Sequence, residues 1–470
     1  MKLIVIWILS AFIWSIAVQG QSKDQLTSEQ QTWLSKANRH EKNGWIYLHI
    51  EGSPEERGFQ HGYLLANEIN ESLRILRETW HYQTALDWQW LVEKSSKMFT
   101  SKVDEENIAE IDGIVNGMRT AGVASNRDEI VAYNGYMELM WYWWPTVKDS
   151  MSSNSPEPKK DGCSSFIAIG SMTEDGGIVL GHNTMSGYYL PSCNVILDIV
   201  PNNGYHILWQ TLPGFIHSDT DFFVTSAGLL GSETTIDWFY PFDKKGIPEF
   251  SRMRHATQYA STIDEWCEIM KKDNNGGYAN AWLIGDINKN EIARLELGLK
   301  YVGFEKKKDG YFIGSNVAED LRILRFETKS NETNIKISDI ARRVRWKQLM
   351  REKEGKINLN LAKAFEGDHY DSYLQKTKPG GRTLCGHWEL DNQMSGIDTP
   401  FNPWGTIDGK VIDAKMAKEM SFIARWGSAC GLPFNAKVYL EKHPQFDWMN
   451  GLLKDRPTQP WTTFRAGETK

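Results

Sequence analysis

The texture of this chain changes just before Cys163. Ahead of it, apolar residues recur mostly at helical spacing; after it, they fall into short runs bounded by turn residues. The junction reads VKDSMSSNSPEPKKDGC, with Ser, Asn, Pro and Lys crowded between Asp149 and Asp161. That is loop composition, and such a loop lies on the surface, where a chain is easily cut. Beyond it, FIAIG, GGIVLG, NVILDIV, GYHILWQ, DFFVTSAGLL, NAWLIGD, EIARLELG and GYFIGSN read as short strands.

After a polar lead, Ser22 to Asn43, a strand is expected over Trp45 to Ile50. Ser53, Pro54 and Glu56 then supply an N-cap, a first-turn proline and a capping box, opening a helix that runs toward Trp80. Gly58 and Gly62 lie one turn apart on it. Glycine weakens a helix, so the pair predicts close packing against a neighbour. Further helices are expected over Glu105 to Gly122, Arg127 to Trp144, Glu249 to Tyr259, onward from a Thr262/Glu265 capping box, Ser338 to Arg351 and Ala414 to Trp426. Helices, strands, helices, then strands again describe an α+β layered fold, not an alternating βαβ one.

The first residues, MKLIVIWILSAFIWSIAVQG, combine a basic start, an apolar run and a small residue at Gly20. This is a signal-peptide pattern over 1–20, which predicts an exported mature chain with no stable membrane insertion. A net charge of −7 gives no reason to expect nucleic acid or an anionic membrane as partner. The 20 tryptophans read as a large aromatic core, with an apolar cleft as the other use. There are five cysteines, Cys163, Cys193, Cys267, Cys385 and Cys430, so at least one has no partner within the chain.

Cys163 opens the first strand after the junction. If Cys163 to Ile169 pairs with Ile178 to Thr184 through a Gly170 to Gly177 loop, Cys163 faces Thr184. His182 then projects from the same sheet face as Cys163. A one-residue slip would send it to the other face. On spacing alone, a buried thiol near a core imidazole is the commoner arrangement.

DGCSSF, TEDGG and GHNTM resemble the start of the mature catalytic chain in the phospholipase B-like proteins. These are related to the isopenicillin N acyltransferase-like family of N-terminal nucleophile hydrolases. GSPEERGFQHGYLLANEI, LPGFIHSDTDFFVTSAGLLGSETTI, NNGGYANAWLIGDINKNEIARLELG, and PWGTIDGKV followed by AKEMSFIARWGSACG extend the resemblance, in order, over most of the chain from Gly44. It implies a four-layer αββα fold and a chain that cuts itself between Gly162 and Cys163. The new α-amine, with a reference pKa of about 8, then serves as general base. The resemblance also places His182 and Asn183 facing the nucleophile. Relatives of bile-salt-hydrolase pattern carry Arg at the position of His182 and Asp at that of Met185. Their absence here implies a more apolar wall. Glu233 and Thr234 are candidate pocket or oxyanion residues, or simply a strand-end turn. Asn280 is a candidate oxyanion donor. Asn316 and one of Arg342, Arg343 or Arg345 are candidate substrate contacts, although an Arg on that helix is most often solvated.

No G-x-S-x-G, H-E-x-x-H or P-loop motif occurs. Cys385 and His387 lack further ligands at usual spacing, so a structural role and no metal are expected; no cofactor is implied. Asn70 and Asn331 lie in glycosylation sequons. The expected molecule is a secreted or periplasmic hydrolase, lysosomal if eukaryotic, acting on a small acyl amide or ester. Its two pieces, 21–162 and 163–470, share one core and stay together. The alternative is a catalytically silent binding protein that holds a lipid or glycan in an aromatic cleft.

Overall fold

Alternation along the strand Gly162–Ile169 sets the layering in the computed structural model, which describes residues 26–151, 162–218, 222–392 and 399–469. Ile167 and Ile169 enter the largest hydrophobic core, while Phe166 and Ala168 enter a second one with Trp346 and Phe365. A strand buried on both faces needs a layer on each side. On one side lies a second sheet; on the other lie the helices Ser338–Glu352 and Leu359–Glu366.

The sheet that holds Gly162–Ile169 has seven strands. Gly310–Gly314, Gly162–Ile169, Val179–Gly187, Asp408–Asp413, Ser421–Trp426 and Thr462–Arg465 follow one another, and Trp404–Thr406 also pairs with Val179–Gly187. The facing sheet has nine strands, running from Asn38–Lys42 to Val302–Lys307. Its Trp45–Gly52 strand lies parallel to Val195–Pro201, so the segment ahead of the junction supplies strands to a sheet built after it. The helices Pro54–Leu64 and Ile263–Lys271 pack on this sheet. The layers are thus helix, sheet, sheet, helix. One hydrophobic cluster runs from Trp45 to Phe464, and most of the tryptophans are buried, as core-forming residues should be. Among the described residues no helix is long and apolar enough to cross a membrane.

The Ser53/Glu56 capping box forms, with Pro54 in the first turn. Gly58 and Gly62 meet the helix Glu105–Thr120, which answers with Gly113 and Gly117. A Cβ on Gly58 would stand 2.0 Å from Glu110 O, and one on Gly117 would stand 2.4 Å from Phe59 O.

Four expectations need correction. The polar lead already holds a capped helix, Ser28–Lys36, and the strand Asn38–Lys42. The helix expected over Arg127 to Trp144 stops at Asn134, widens to a π-helix over Glu138–Trp143, and resumes at Trp144–Val147. Pro145 has no N–H to bond back into the preceding turn. Thr262 caps its helix, but the Glu265 carboxylate turns to Ser261 instead of closing the box. The helix expected over Ala414 to Trp426 is a short helix, Ala414–Lys418, followed by the strand Ser421–Trp426, because pairing on both edges overrides local propensity. The expected signal peptide, and the junction over 152–161, lie outside the described residues.

Candidate active site

The hairpin forms in the expected register. Cys163 pairs with Thr184, and Ser165 pairs with His182. Cys163 is 2% exposed. Its Sγ lies 3.8 Å from Glu233 Oε1, on the strand Leu229–Thr235 of the facing sheet. Tyr278 Oη donates to the same carboxylate oxygen at 3.0 Å. The two sheets therefore meet at the thiol, and Ser165 and Ser232 join them again at 2.7 Å.

The backbone of Cys163 is held just as tightly. Its N–H donates to Asn316 Oδ1 at 3.1 Å, and its carbonyl accepts from Arg342 Nη1 at 2.5 Å. Arg342 Nη2 donates to the same Asn316 oxygen at 2.8 Å and to Asp339 at 3.1 Å. Asn316 Nδ2 donates to Thr235 O at 2.7 Å. Asn316 also adopts a left-handed backbone, φ 70°, a conformation that tends to persist where surrounding structure enforces it. Of the three candidate arginines on the helix Ser338–Glu352, Arg343 pairs with Glu319 and Arg345 with Asp368, away from the thiol. Arg342 is buried, and that burial lowers its pKa, a loss offset in part by Asp339.

His182 faces the side expected, yet its Nε2 bonds the carbonyl of Glu233 at 2.9 Å. Burial, and then the Lys410 charge, hold its pKa well below the usual histidine value, so the ring is neutral and Nε2–H is the donor. It positions the strand that carries Glu233. Asn183 is not where the resemblance places it. Strand alternation points it to the opposite face, where Nδ2 donates to Glu366 O at 2.8 Å and Leu384 O at 3.0 Å. Thr234 packs where the sheets approach closely; a Cβ on Gly314 would meet its Oγ1 at 2.5 Å. Asn280 pairs with Thr235 on the next strand. It is fully buried, and neither of its side-chain amide atoms has a hydrogen-bond partner among the described residues.

Sequence reasoning passed over three groups. Tyr278 precedes Asn280 in a loop after Gly276 and Gly277, in a left-handed backbone, φ 51°. That loop is held by the buried Glu138 of the π-helix, which accepts from Asn275; burial raises the Glu138 pKa to about 7. Lys410 and Asp408 are fully buried and paired at 2.9 Å. Lys410 Nζ also donates to Thr184 Oγ1, across from Cys163, at 2.8 Å. Their signal was two charges at alternate positions of one short strand, DGKV. Arg342, already among the candidates, carried a signal that singles it out from Arg343 and Arg345: it lies on the helical stripe that includes Trp346 and Leu349, both buried.

A second cluster gathers around Cys385 and His387. His369 and Cys430, remote in sequence, come within reach of both. Spacing along the chain does not reveal side chains that separate loops bring together.

A family model described as Phospholipase B matches residues 32–303, more than half of the chain. Phospholipase B-like protein C of Dictyostelium discoideum is 24% identical over 412 residues, covering 76% of this chain and 70% of that protein. Phospholipase B of Crotalus adamanteus is 27% identical over 262 residues, 50% of this chain and 45% of that protein. Among solved structures, a conjugated bile acid hydrolase from Clostridium perfringens is similar, with a TM-score of 0.35 and 12% identity over 56% of this chain and 89% of that one.

Proposed function

Since this chain belongs to the phospholipase B family, we propose that it is an exported, self-processing hydrolase of a carboxylic amide or ester, with Cys163 as its nucleophile. One observation carries this reading: thiol, amide N–H and carbonyl of Cys163 each meet a separate buried polar group. Any buried backbone needs partners, but a structural thiol needs no carboxylate beside it.

In the uncut chain there is no α-amine, and Glu233 is the base at hand. It takes the thiol proton as sulfur attacks the carbonyl carbon of Gly162. The Gly162–Cys163 C–N bond breaks, nitrogen takes a proton, and a thioester remains. Water then hydrolyses it, freeing both the Gly162 carboxylate and the thiol. Gly162 has no side chain to obstruct the attack. In the mature enzyme, Asn316 Oδ1 accepts from the new amine as it did from the amide, so the amine stays beside the sulfur. The Arg342 cation on the Cys163 carbonyl favours the unprotonated amine, which is the form that acts as base. The amine takes the thiol proton as sulfur attacks the substrate carbonyl and passes it to the leaving group as Cys163 is acylated; it then takes a proton from the water that hydrolyses the acyl-enzyme and returns it to the thiol. Asn280, with an uncommitted amide, is assigned as oxyanion donor.

The test pairs an electrophilic acyl probe, a β-lactone, with a panel of N-acyl amino acids, bile amides, ceramides and lysophospholipids. The expected result is an adduct on Cys163 and turnover of at least one class. No adduct and no turnover from correctly processed protein would leave a silent binding protein on the same fold.

A further inference from the structure

Behind the strand Val179–Gly187, on the face that Asn183 points to, three loops converge. His369 follows the helix Leu359–Glu366, Cys385 and His387 precede Trp388, and Cys430 follows the strand Ser421–Trp426. One ligand-type atom from each lies within 4.8 Å of all the others. We propose that His369, Cys385, His387 and Cys430 together bind one zinc ion in a structural site.

Distances support a tetrahedral ion. Zinc with Zn–S of about 2.3 Å and Zn–N of about 2.0 Å sets its ligand atoms roughly 3.3–3.8 Å apart. His387 Nε2 is 3.4 Å from Cys385 Sγ and 3.3 Å from Cys430 Sγ. Orientation supports it as well. His387 Nδ1 lies 2.8 Å from Glu389 Oε1, which makes that nitrogen the N–H donor and turns Nε2 toward the two sulfurs. Two sulfurs sit at nearly the same distance from that one nitrogen. A cation bound to all three atoms accounts for this. His369 Nε2 is buried and has no hydrogen-bond partner among the described residues. The Leu432 N–H points to Cys430 Sγ at 3.4 Å, a contact suited to a thiolate.

Binding releases the two thiol protons, and the two thiolates balance the zinc charge, so a neutral unit is buried without redox chemistry. Two thiolates and two imidazoles in a tetrahedron suit zinc better than a hard cation. The ion would staple three loops of the helix-covered side. Asn183 already ties two of them to the sheet through Glu366 O and Leu384 O. The four ligands gather on the face that Asn183 points to, opposite that of Cys163 and His182, so this site stands apart from the proposed chemistry.

The full-length protein, loaded with zinc under anaerobic conditions, is assayed by elemental mass spectrometry, and an unreduced digest reports its thiols. One zinc per chain is expected, with Cys385 and Cys430 both unpaired. Chelation lowers the Tm and zinc restores it. Cobalt(II) in its place gives the d–d bands of a tetrahedral thiolate site. His369→Ala and Cys430→Ala lose the metal, and Cys163→Ala keeps it; if the first two fail to fold, the cobalt spectrum of the native chain decides. A Cys385–Cys430 disulfide, another bound metal, or no zinc retained after loading overturns the proposal.

Discussion

Asn316 Oδ1 serves two donors, the Cys163 N–H and Arg342, and so links the start of the nucleophile strand to the helix above it. Glu233 serves two as well, the thiol and Tyr278. Only Glu233 is assigned a proton transfer, and this makes Glu233→Gln the sharper substitution. The amide keeps the size of the carboxylate and still accepts from Tyr278. It should therefore fold with little change in Tm while self-cleavage slows by about 10²-fold or more, the usual worth of a general base. A time course of chain cleavage after refolding reads this out, and an unchanged rate would remove Glu233 from the mechanism. At this scale the hairpin register at Cys163 and the face of His182 were legible, because a period-two strand leaves few choices once the hairpin loop is placed. Asn183 was misplaced by leaning on resemblance over that same alternation. Tyr278 and Lys410 were hidden because their partners lie on strands far away in sequence.

The glycine contacts between the helices Pro54–Leu64 and Glu105–Thr120 let two helix backbones touch. Helix propensity alone favours Ala over Gly by about 1 kcal/mol. Here a Cβ on Gly58 would sit 2.0 Å from Glu110 O, and backbone cannot yield as a side-chain tip can. Overpacking should win, with Gly58→Ala destabilising by about 3 kcal/mol. The helices also cover a buried ion cluster, in which Glu110 pairs with Arg57 at 2.8 Å and Arg254 at 2.9 Å. A parting of the helices would loosen it. Urea unfolding of Gly58→Ala measures this; a gain in stability would mean that the helices do not touch. Gly58 and Gly62 were legible as a packing face, since glycine inside a capped helix needs a reason. Their partner was not, for Gly113 and Gly117 show only the same unexplained cost. The strand Ser421–Trp426 was misread because its pairing partners, Asp408–Asp413 and Thr462–Arg465, decide its conformation more than its own residues do.

Across the whole molecule, the order of helical and strand textures was enough to indicate layers, but not which sheet holds which strand. The parallel contact of Trp45–Gly52 with Val195–Pro201 crosses the junction and has no local signal. That shared core predicts a pH dependence. His61 Nε2 accepts the Gly214 N–H at 2.8 Å, so its ring must be neutral, and burial lowers its pKa to about 4. Burial brings His217 down to about 3. Both take up a proton in the unfolded chain near the ordinary value of about 6.5. The stability they contribute is present above that value and is lost as pH falls through the window down to about 4. From about pH 7 to about pH 5 each should cost about 2 kcal/mol, read by urea unfolding at the two pH values. His61→Gln, whose amide oxygen can still accept from Gly214, should flatten part of the slope; an equal slope in variant and parent would contradict the assignment.

The central claim, that Cys163 begins the working chain, is tested most directly by intact mass and N-terminal sequencing of the purified protein beside Cys163→Ala. The account predicts two associated pieces, 21–162 and a second that starts at Cys163, with the variant left as one chain. A parent that stays whole, or a variant cut at the same bond, would contradict it.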